Sequence, residues 1–298
     1  MKNSFNTYII AEIGSNHNNN IETAFKYIKE AKKSGANAVK FQSLKKEKLI
    51  SPYIFKNNKR YKNLSYEKFI NLEISDEMHY KLKKFSDKIG IEFISTPFDL
   101  EAVDLLEKIG VKKYKIASGD ITFYPLLTKI AKTKKSVIIS TGASNIKDIS
   151  NALECFKKKS NISLLHCVSN YPPKWEQMNL LAIKTLINKF NLPVGISDHS
   201  PGDMVSVASV ALGATIIEKH ITFDRSLKGP DHSFAMLIKE FSSMIKKIRN
   251  LELSLGDGIK KPTKEEILRQ KNIRRSIYDM QHKNSSKTKG IWLRPQNK

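Results

Sequence analysis

The chain has 298 residues with 52 Lys and Arg against 29 Asp and Glu, a formal charge of +23, and 40% of its residues are hydrophobic. That length suits one large α/β domain of roughly 250 residues plus a tail, and the apolar fraction excludes wholesale disorder. Two cysteines, Cys155 and Cys167, cannot build a disulfide scaffold; with no 18-residue apolar run and no signal-like start in MKNSFNTYIIAEIG, the expectation is a soluble, cytoplasmic protein that engages no membrane. The positive excess comes from 45 Lys and only 7 Arg alongside 22 Asn, a composition that A- and T-rich codons supply without any selected partner. Dispersed, Arg-poor charge lacks the side chains that read base edges, so no nucleic-acid partner is expected.

Taken in chain order, apolar runs of strand length fall at residues 8–14, 37–42, 91–96, 112–118, 136–141, 162–167, 192–197 and 214–220. Each is followed by a stretch with helical spacing, such as ETAFKYIKEAKKSG or LEAVDLLEKIG, several of them ending in Gly as a helix C-terminus should. Strict βα alternation demands a parallel sheet with helical crossovers, and eight units predict a closed (β/α)8 TIM barrel over 1–255. Residues 44–75 are too long for a simple βα connection and hold five aromatics, so a lid or an extra helix is expected there. A last helix is expected near 238–254. Residues 256–298 then form a short, basic C-terminal tail with 12 Lys and Arg against 4 Asp and Glu.

Polar residues cluster where strand ends should form the active face of such a barrel. Glu12 ends the first strand; Lys40 and Gln42 alternate with Val39 and Phe41 and therefore share the interior face. Thr96, Lys115, Ser118, Asp120, Ser140, Ser169, Tyr171, Ser197 and Glu218 follow at later strand ends. Stability alone would fill a barrel interior with Val, Ile and Leu. Lysines and hydroxyls converging on one mouth suit a phosphorylated, carboxylated anion, whose charge must be met by charge-assisted hydrogen bonds once water leaves. His199 and His220 end adjacent strands, where two imidazoles without a thiolate suit Mn²⁺ or Mg²⁺ rather than a closed zinc site. His166 and Cys167 read as core residues at the end of an apolar strand, and Asn18 to Asn20 as a polar turn and helix cap.

These residues resemble the N-acetylneuraminate (sialic acid) synthase family. The matching stretches are IIAEIGSNHN, GANAVKFQ, FISTPFD, YKIASGD, IISTGAS, LLHCVSNYP, GISDHSPG and GATIIEKHITFDRSLKGPDH, in family order across all eight strands. The resemblance implies a transferase that condenses phosphoenolpyruvate with an N-acetylated hexosamine such as N-acetylmannosamine, releasing phosphate. It implies donor contacts at Lys40, Thr96, Lys115, Ser118, Ser140, Ser169 and Ser197, and acceptor contacts at Gln42, Asp120, Tyr171 and Asp231. Glu12 and Glu218 would stand beside the reacting atoms, with the metal on His199 and His220.

It also implies a homodimer in which a small antifreeze-like domain closes over the partner's active site. Here only a remnant follows Arg274, Arg275 and Ser276, with Arg294 at the position of a sugar-binding Arg and Trp292 and Leu293 as the expected buried anchor. Asp120 stands where some members have Glu, which leaves open a synthase of the legionaminic or pseudaminic type; the shortened tail separately leaves open a catalytically silent scaffold.

Overall fold

The computed structural model describes residues 6–64, 66, 72–278 and 290–294. Eight parallel strands close on themselves: β1 (Tyr8–Glu12), β2 (Ala38–Ser43), β5 (Glu92–Pro97), β6 (Lys113–Ile116), β7 (Ser136–Ser140), β8 (Ile162–Cys167), β9 (Val194–Asp198) and β10 (Ile216–Thr222). Closure is made by β1 pairing with β10, which sets Glu12 beside both Lys40 and His220 in register. The helices that return the chain are α1 (Ile21–Ser34), α3 (Asp76–Ile89), α4 (Leu100–Lys108), α5 (Tyr124–Lys132), α6 (Ile146–Glu154), α7 (Ala182–Phe190), α8 (Met204–Ala211) and α9 (Ile238–Ser254). Their ends follow the local chemistry read from sequence. Asn20 caps α1 by accepting from Thr23 N at 2.8 Å, and Gly35 closes it in the left-handed region.

The period of two along each strand divides the barrel. Outward residues such as Val39, Phe41, Phe93 and Tyr114 join the main core with the helices. Inside, Ile10, Ala38, Ile94, Ile138, Leu165 and Ile216 meet in a separate apolar layer. One pleat further along each of these strands stand Glu12, Lys40, Thr96, Ser140, Cys167 and Glu218, all buried. On these six strands the interior therefore changes from sealed hydrocarbon to polar within two residues, always toward the C-terminal end, where such barrels carry their chemistry.

Residues 44–75 hold an extra helical turn, α2 (Lys46–Leu49), followed by a hairpin of β3 (Tyr53–Lys56) and β4 (Lys59–Lys62) with every strand residue exposed. Asn57 and Asn58, both at positive φ, form its two-residue turn, a conformation that Asn tolerates and that matches strand twist. Residues 65 and 67–71 lie outside the described residues. β11 (Met236–Leu237) extends the pairing of β10 just before α9.

The chain divides into two compact units, one ending at Leu255 and the other beginning at Gly256. The second unit contains α10 (Lys264–Ile273), capped by Thr263 and Glu266, and an antiparallel pair of β12 (Ser276–Tyr278) and β13 (Ile291–Leu293). On β13, Trp292 is 55% exposed and Leu293 is half-buried. A three-residue strand paired with one neighbour leaves both of its faces open. Among the described residues no helix is long and apolar enough to cross a membrane.

Candidate active site

The C-terminal end of the barrel holds two lysines, Lys40 and Lys115, only 5% and 2% exposed, where a surface lysine would be solvated. Lys40 Nζ lies 2.9 Å from Glu12 Oε2 and 3.8 Å from Glu218 Oε1, and donates to Thr96 Oγ1 at 3.3 Å. Lys115 Nζ donates to Ser140 Oγ at 2.6 Å and lies 3.7 Å from Glu218 Oε1. Glu218 also accepts from Ser197 Oγ at 2.9 Å, so this carboxylate links the two ammonium groups. Burial works to raise its pKa, but Lys115 and Lys40, together with Ser197, hold it below the ordinary carboxylate value.

Glu12 goes the other way. Burial raises its carboxyl, with Lys40 pulling against that and the charges of Glu218 and Asp231 adding to it. Burial raises Asp231 as well. Two ammonium groups thus face three buried carboxyls, and the low-dielectric interior favours retaining a proton on the Glu12 and Asp231 side. Burial opposes the charge on Lys40, yet Glu12 and Glu218 more than offset it; Lys115, with fewer partners, is lowered chiefly by burial.

On the other wall, Ser118, Ser169 and Cys167 crowd the Cα of Gly142. A Cβ there would stand 2.2 Å from Ser169 Oγ and 2.8 Å from Ser118 Oγ, so only glycine lets both hydroxyls approach. Gly142 N donates to Ser118 Oγ at 2.9 Å. Gly14, at φ +53°, does the same for two carboxyls: a Cβ would meet Asp231 Oδ2 at 2.8 Å and Glu12 Oε1 at 3.2 Å. Gln42 Nε2 reaches Glu12 Oε1 at 3.5 Å, and Ser15 Oγ reaches Asp231 Oδ2 at 3.4 Å.

His199 and His220 stand with ring centroids 5.4 Å apart, and Tyr171 packs on His199 at 4.3 Å from the mouth. His199 Nδ1 lies 3.1 Å from Val168 O; because a carbonyl only accepts, Nδ1 carries the proton and Nε2 keeps its lone pair. Burial holds both imidazoles neutral, His220 most strongly with His199 adding to the effect. His220 Nδ1 is buried without a hydrogen-bond partner. A divalent cation fits two neutral imidazoles with an orphaned ring nitrogen, because protonated ligands would repel it. Among the described residues no set of three His, Cys, Asp or Glu side chains is arranged to hold a metal.

The sequence-based residues therefore assemble, with differences. Glu12, Lys40, Gln42, Thr96, Lys115, Ser118, Asp120, Ser140, Ser169, Tyr171, Ser197, His199, Glu218, His220 and Asp231 all belong to the barrel unit, whereas Arg294 belongs to the second. His166 faces outward and pairs with Met178 O at 2.7 Å, as a satisfied core residue. Cys167 faces inward beside Ser118, and burial raises its thiol, which keeps it unreactive. Sequence reasoning passed over Ser15, Gly14 and the close approach at Gly142. The only signals for them were the glycines in AEIGSN and STGAS.

Asp120 Oδ2 is buried without a partner, and burial pushes its carboxyl up to about 6, with Lys115 opposing. Since its folded pKa exceeds its unfolded value, it favours the fold below the unfolded pKa and loses that contribution as pH rises through about 6. Asp120→Asn is expected to stabilise the protein at pH 7 by about 1 to 2 kcal/mol, discounted for partial exposure, and to do nothing below pH 4. Urea unfolding at both pH values checks this; an equal effect at the two would overturn it.

Comparison with known proteins places this geometry. The profile described as the NeuB family matches residues 27–260. The N,N'-diacetyllegionaminic acid synthase of Campylobacter jejuni is 44% identical over 90% of this chain and 82% of its own length. The human N-acetylneuraminate-9-phosphate synthase is 34% identical over 87% of this chain and 72% of its own. The crystal structure of N-acetylneuraminic acid (sialic acid) synthetase from Leptospira borgpetersenii, in complex with citrate, superposes with a TM-score of 0.81 at 37% identity, covering 89% of this chain and 90% of that one.

Proposed function

The chain belongs to the NeuB family, and on that footing we propose that it is a transferase joining phosphoenolpyruvate to an open-chain N-acetylated hexosamine to give a sialic acid-type sugar acid and phosphate. The observation that carries this reading is the layer of buried lysines and hydroxyls one pleat above the apolar floor. Lys40 and Lys115 are the cations for the donor's phosphate and carboxylate, and Thr96, Ser118, Ser140, Ser169 and Ser197 supply the neutral donors around them. Glu218, already between the lysines, keeps both ammonium groups aimed inward before the donor arrives.

Carbon 3 of phosphoenolpyruvate attacks the acceptor's aldehyde carbon, water adds at carbon 2, and the tetrahedral intermediate expels phosphate. Glu12, the carboxyl that burial favours in its protonated form, is placed to deliver a proton to the oxygen that becomes negative as the carbon-carbon bond forms. His199 and His220 would hold Mn²⁺ or Mg²⁺, which supplies Lewis acidity toward that oxygen. Gln42, Asp120, Tyr171 and Asp231 line the acceptor side in this reading. A homodimer and a cytoplasmic location belong to the same proposal, the latter consistent with two free cysteines.

The higher identity to the legionaminic relative, 44% against 34% to the N-acetylneuraminate-9-phosphate synthase, favours a product of the legionaminic type. Phosphate release from phosphoenolpyruvate, measured with Mn²⁺ against a panel of mono- and diacetamido hexoses, tests the proposal and ranks the acceptors. No release with any member of the panel would favour the silent-scaffold alternative.

A further inference from the structure

The outward face of β10 reads Ile217, Lys219, Ile221, and a charge is out of place there. Lys219 is 2% exposed and pairs with Asp198, wholly buried on β9 directly opposite in register. Lys219 Nζ donates to Asp198 Oδ2 at 2.9 Å and to Ser200 O at 2.6 Å. Asp198 Oδ1 accepts from Ser200 N at 2.8 Å and from Ser200 Oγ at 2.6 Å, while its Oδ2 also accepts from Ser206 Oγ of α8 at 2.6 Å.

A buried ion pair adds little stability over well-packed apolar residues of the same volume, so stability does not explain it. Nor is it a binding site. Inside the barrel Asp120, Glu218 and His220 each keep a buried polar atom without a hydrogen-bond partner, whereas Asp198, Ser200, Ser206 and Lys219 have none. What the cluster does grip is backbone. Asp198 and Ser200 flank His199 on both sides, and Lys219 immediately precedes His220, so one network on the outer side of the sheet ties together the segments that carry both imidazoles.

We infer that the Asp198–Lys219 pair, with Ser200 and Ser206, positions His199 and His220 from behind the barrel wall, setting their separation for a shared divalent cation. The inference rests on reading these histidines as a metal-holding pair. Asp198 and Lys219 touch neither donor nor acceptor; they are positioning residues, and their loss should show in metal binding and imidazole geometry before it shows in donor affinity.

The test uses the full chain with Mn²⁺ alone, free metal being counted by electron paramagnetic resonance. Lys219→Met should weaken Mn²⁺ binding about tenfold or more, and the milder Ser206→Ala, which removes one donor to Asp198, about threefold. Ser86→Ala, a buried hydroxyl on α3 bonded to Leu82 O at 2.8 Å, is the control for general loosening and should stay within about twofold. In the metal-free protein, the imidazole nitrogen signals of His199 and His220 should shift in Lys219→Met and not in Ser86→Ala. Phosphoenolpyruvate affinity should change less than about threefold in every variant.

Wild-type Mn²⁺ affinity and unmoved imidazole signals in both Lys219→Met and Ser206→Ala would overturn the inference, as would an equal loss in Ser86→Ala. If Lys219→Met does not fold, Ser206→Ala decides alone. A wild-type protein that binds no Mn²⁺ would refute the metal reading by itself, and the imidazole signals would still decide whether the pair positions the rings.

Discussion

Lys115→Ala should raise the dissociation constant for phosphoenolpyruvate roughly thirtyfold or more, equivalent to about 2 kcal/mol, while acceptor affinity barely moves. The size follows from burial. Lys115 is 2% exposed and donates to Ser140 Oγ and to Ile116 O, so its ammonium has already been desolvated in the fold and meets an incoming anion without paying that cost again. The variant leaves Glu218 paired with Lys40 alone, which adds an unbalanced negative charge to the place where the donor's charge must sit. Direct titration of phosphoenolpyruvate into the metal-free protein checks the expectation. Unchanged donor affinity would mean that Lys115 serves only to neutralise Glu218.

The second large effect is expected at the histidines. His199→Ala and His220→Ala should each lower turnover by on the order of 10²-fold to 10³-fold, together with the dependence on divalent metal. Their effect on the fold should be small for a reason specific to this site. His220 buries a ring nitrogen without a partner, a standing cost of about 1 to 3 kcal/mol that its removal relieves, offsetting the cavity left behind. Turnover without loss and a melting temperature unchanged in the double variant would refute the role of the pair. A melting temperature that collapses would instead identify the rings as packing residues, which the tilted contact of His199 with Tyr171 and the edge-on contact of His220 with Phe234 make a real contrast to measure.

The eight strands and the polarity of their C-terminal ends are local properties, and local properties are written in sequence. Alternation of Lys40 and Gln42 with Val39 and Phe41 assigns faces because the side-chain period in a strand is two, whatever lies across from it. The same rule applied to Glu218, Lys219 and His220 would have separated the middle residue from its neighbours. Without the pairing register, however, nothing identified Asp198 as its partner. Gly14 and Gly142 were visible as letters, but the near-contacts that require them, 2.8 Å to Asp231 and 2.2 Å to Ser169, join positions far apart in the chain.

Barrel topology, strand count and the polar strand ends thus followed from periodicity and composition, which need only neighbours along the chain, whereas Asp231 was implied by the family resemblance alone. The hairpin at 53–62 is local in the same sense, since its alternating aromatics and paired asparagines lie within ten residues. Which carboxyl holds the proton was a different matter. Glu12 and Glu218 are both strand-end glutamates, but one faces a single lysine and two other carboxyls while the other bridges both lysines. Protonation responds to Coulomb interactions and desolvation, which depend on three-dimensional distance and not on position in the chain.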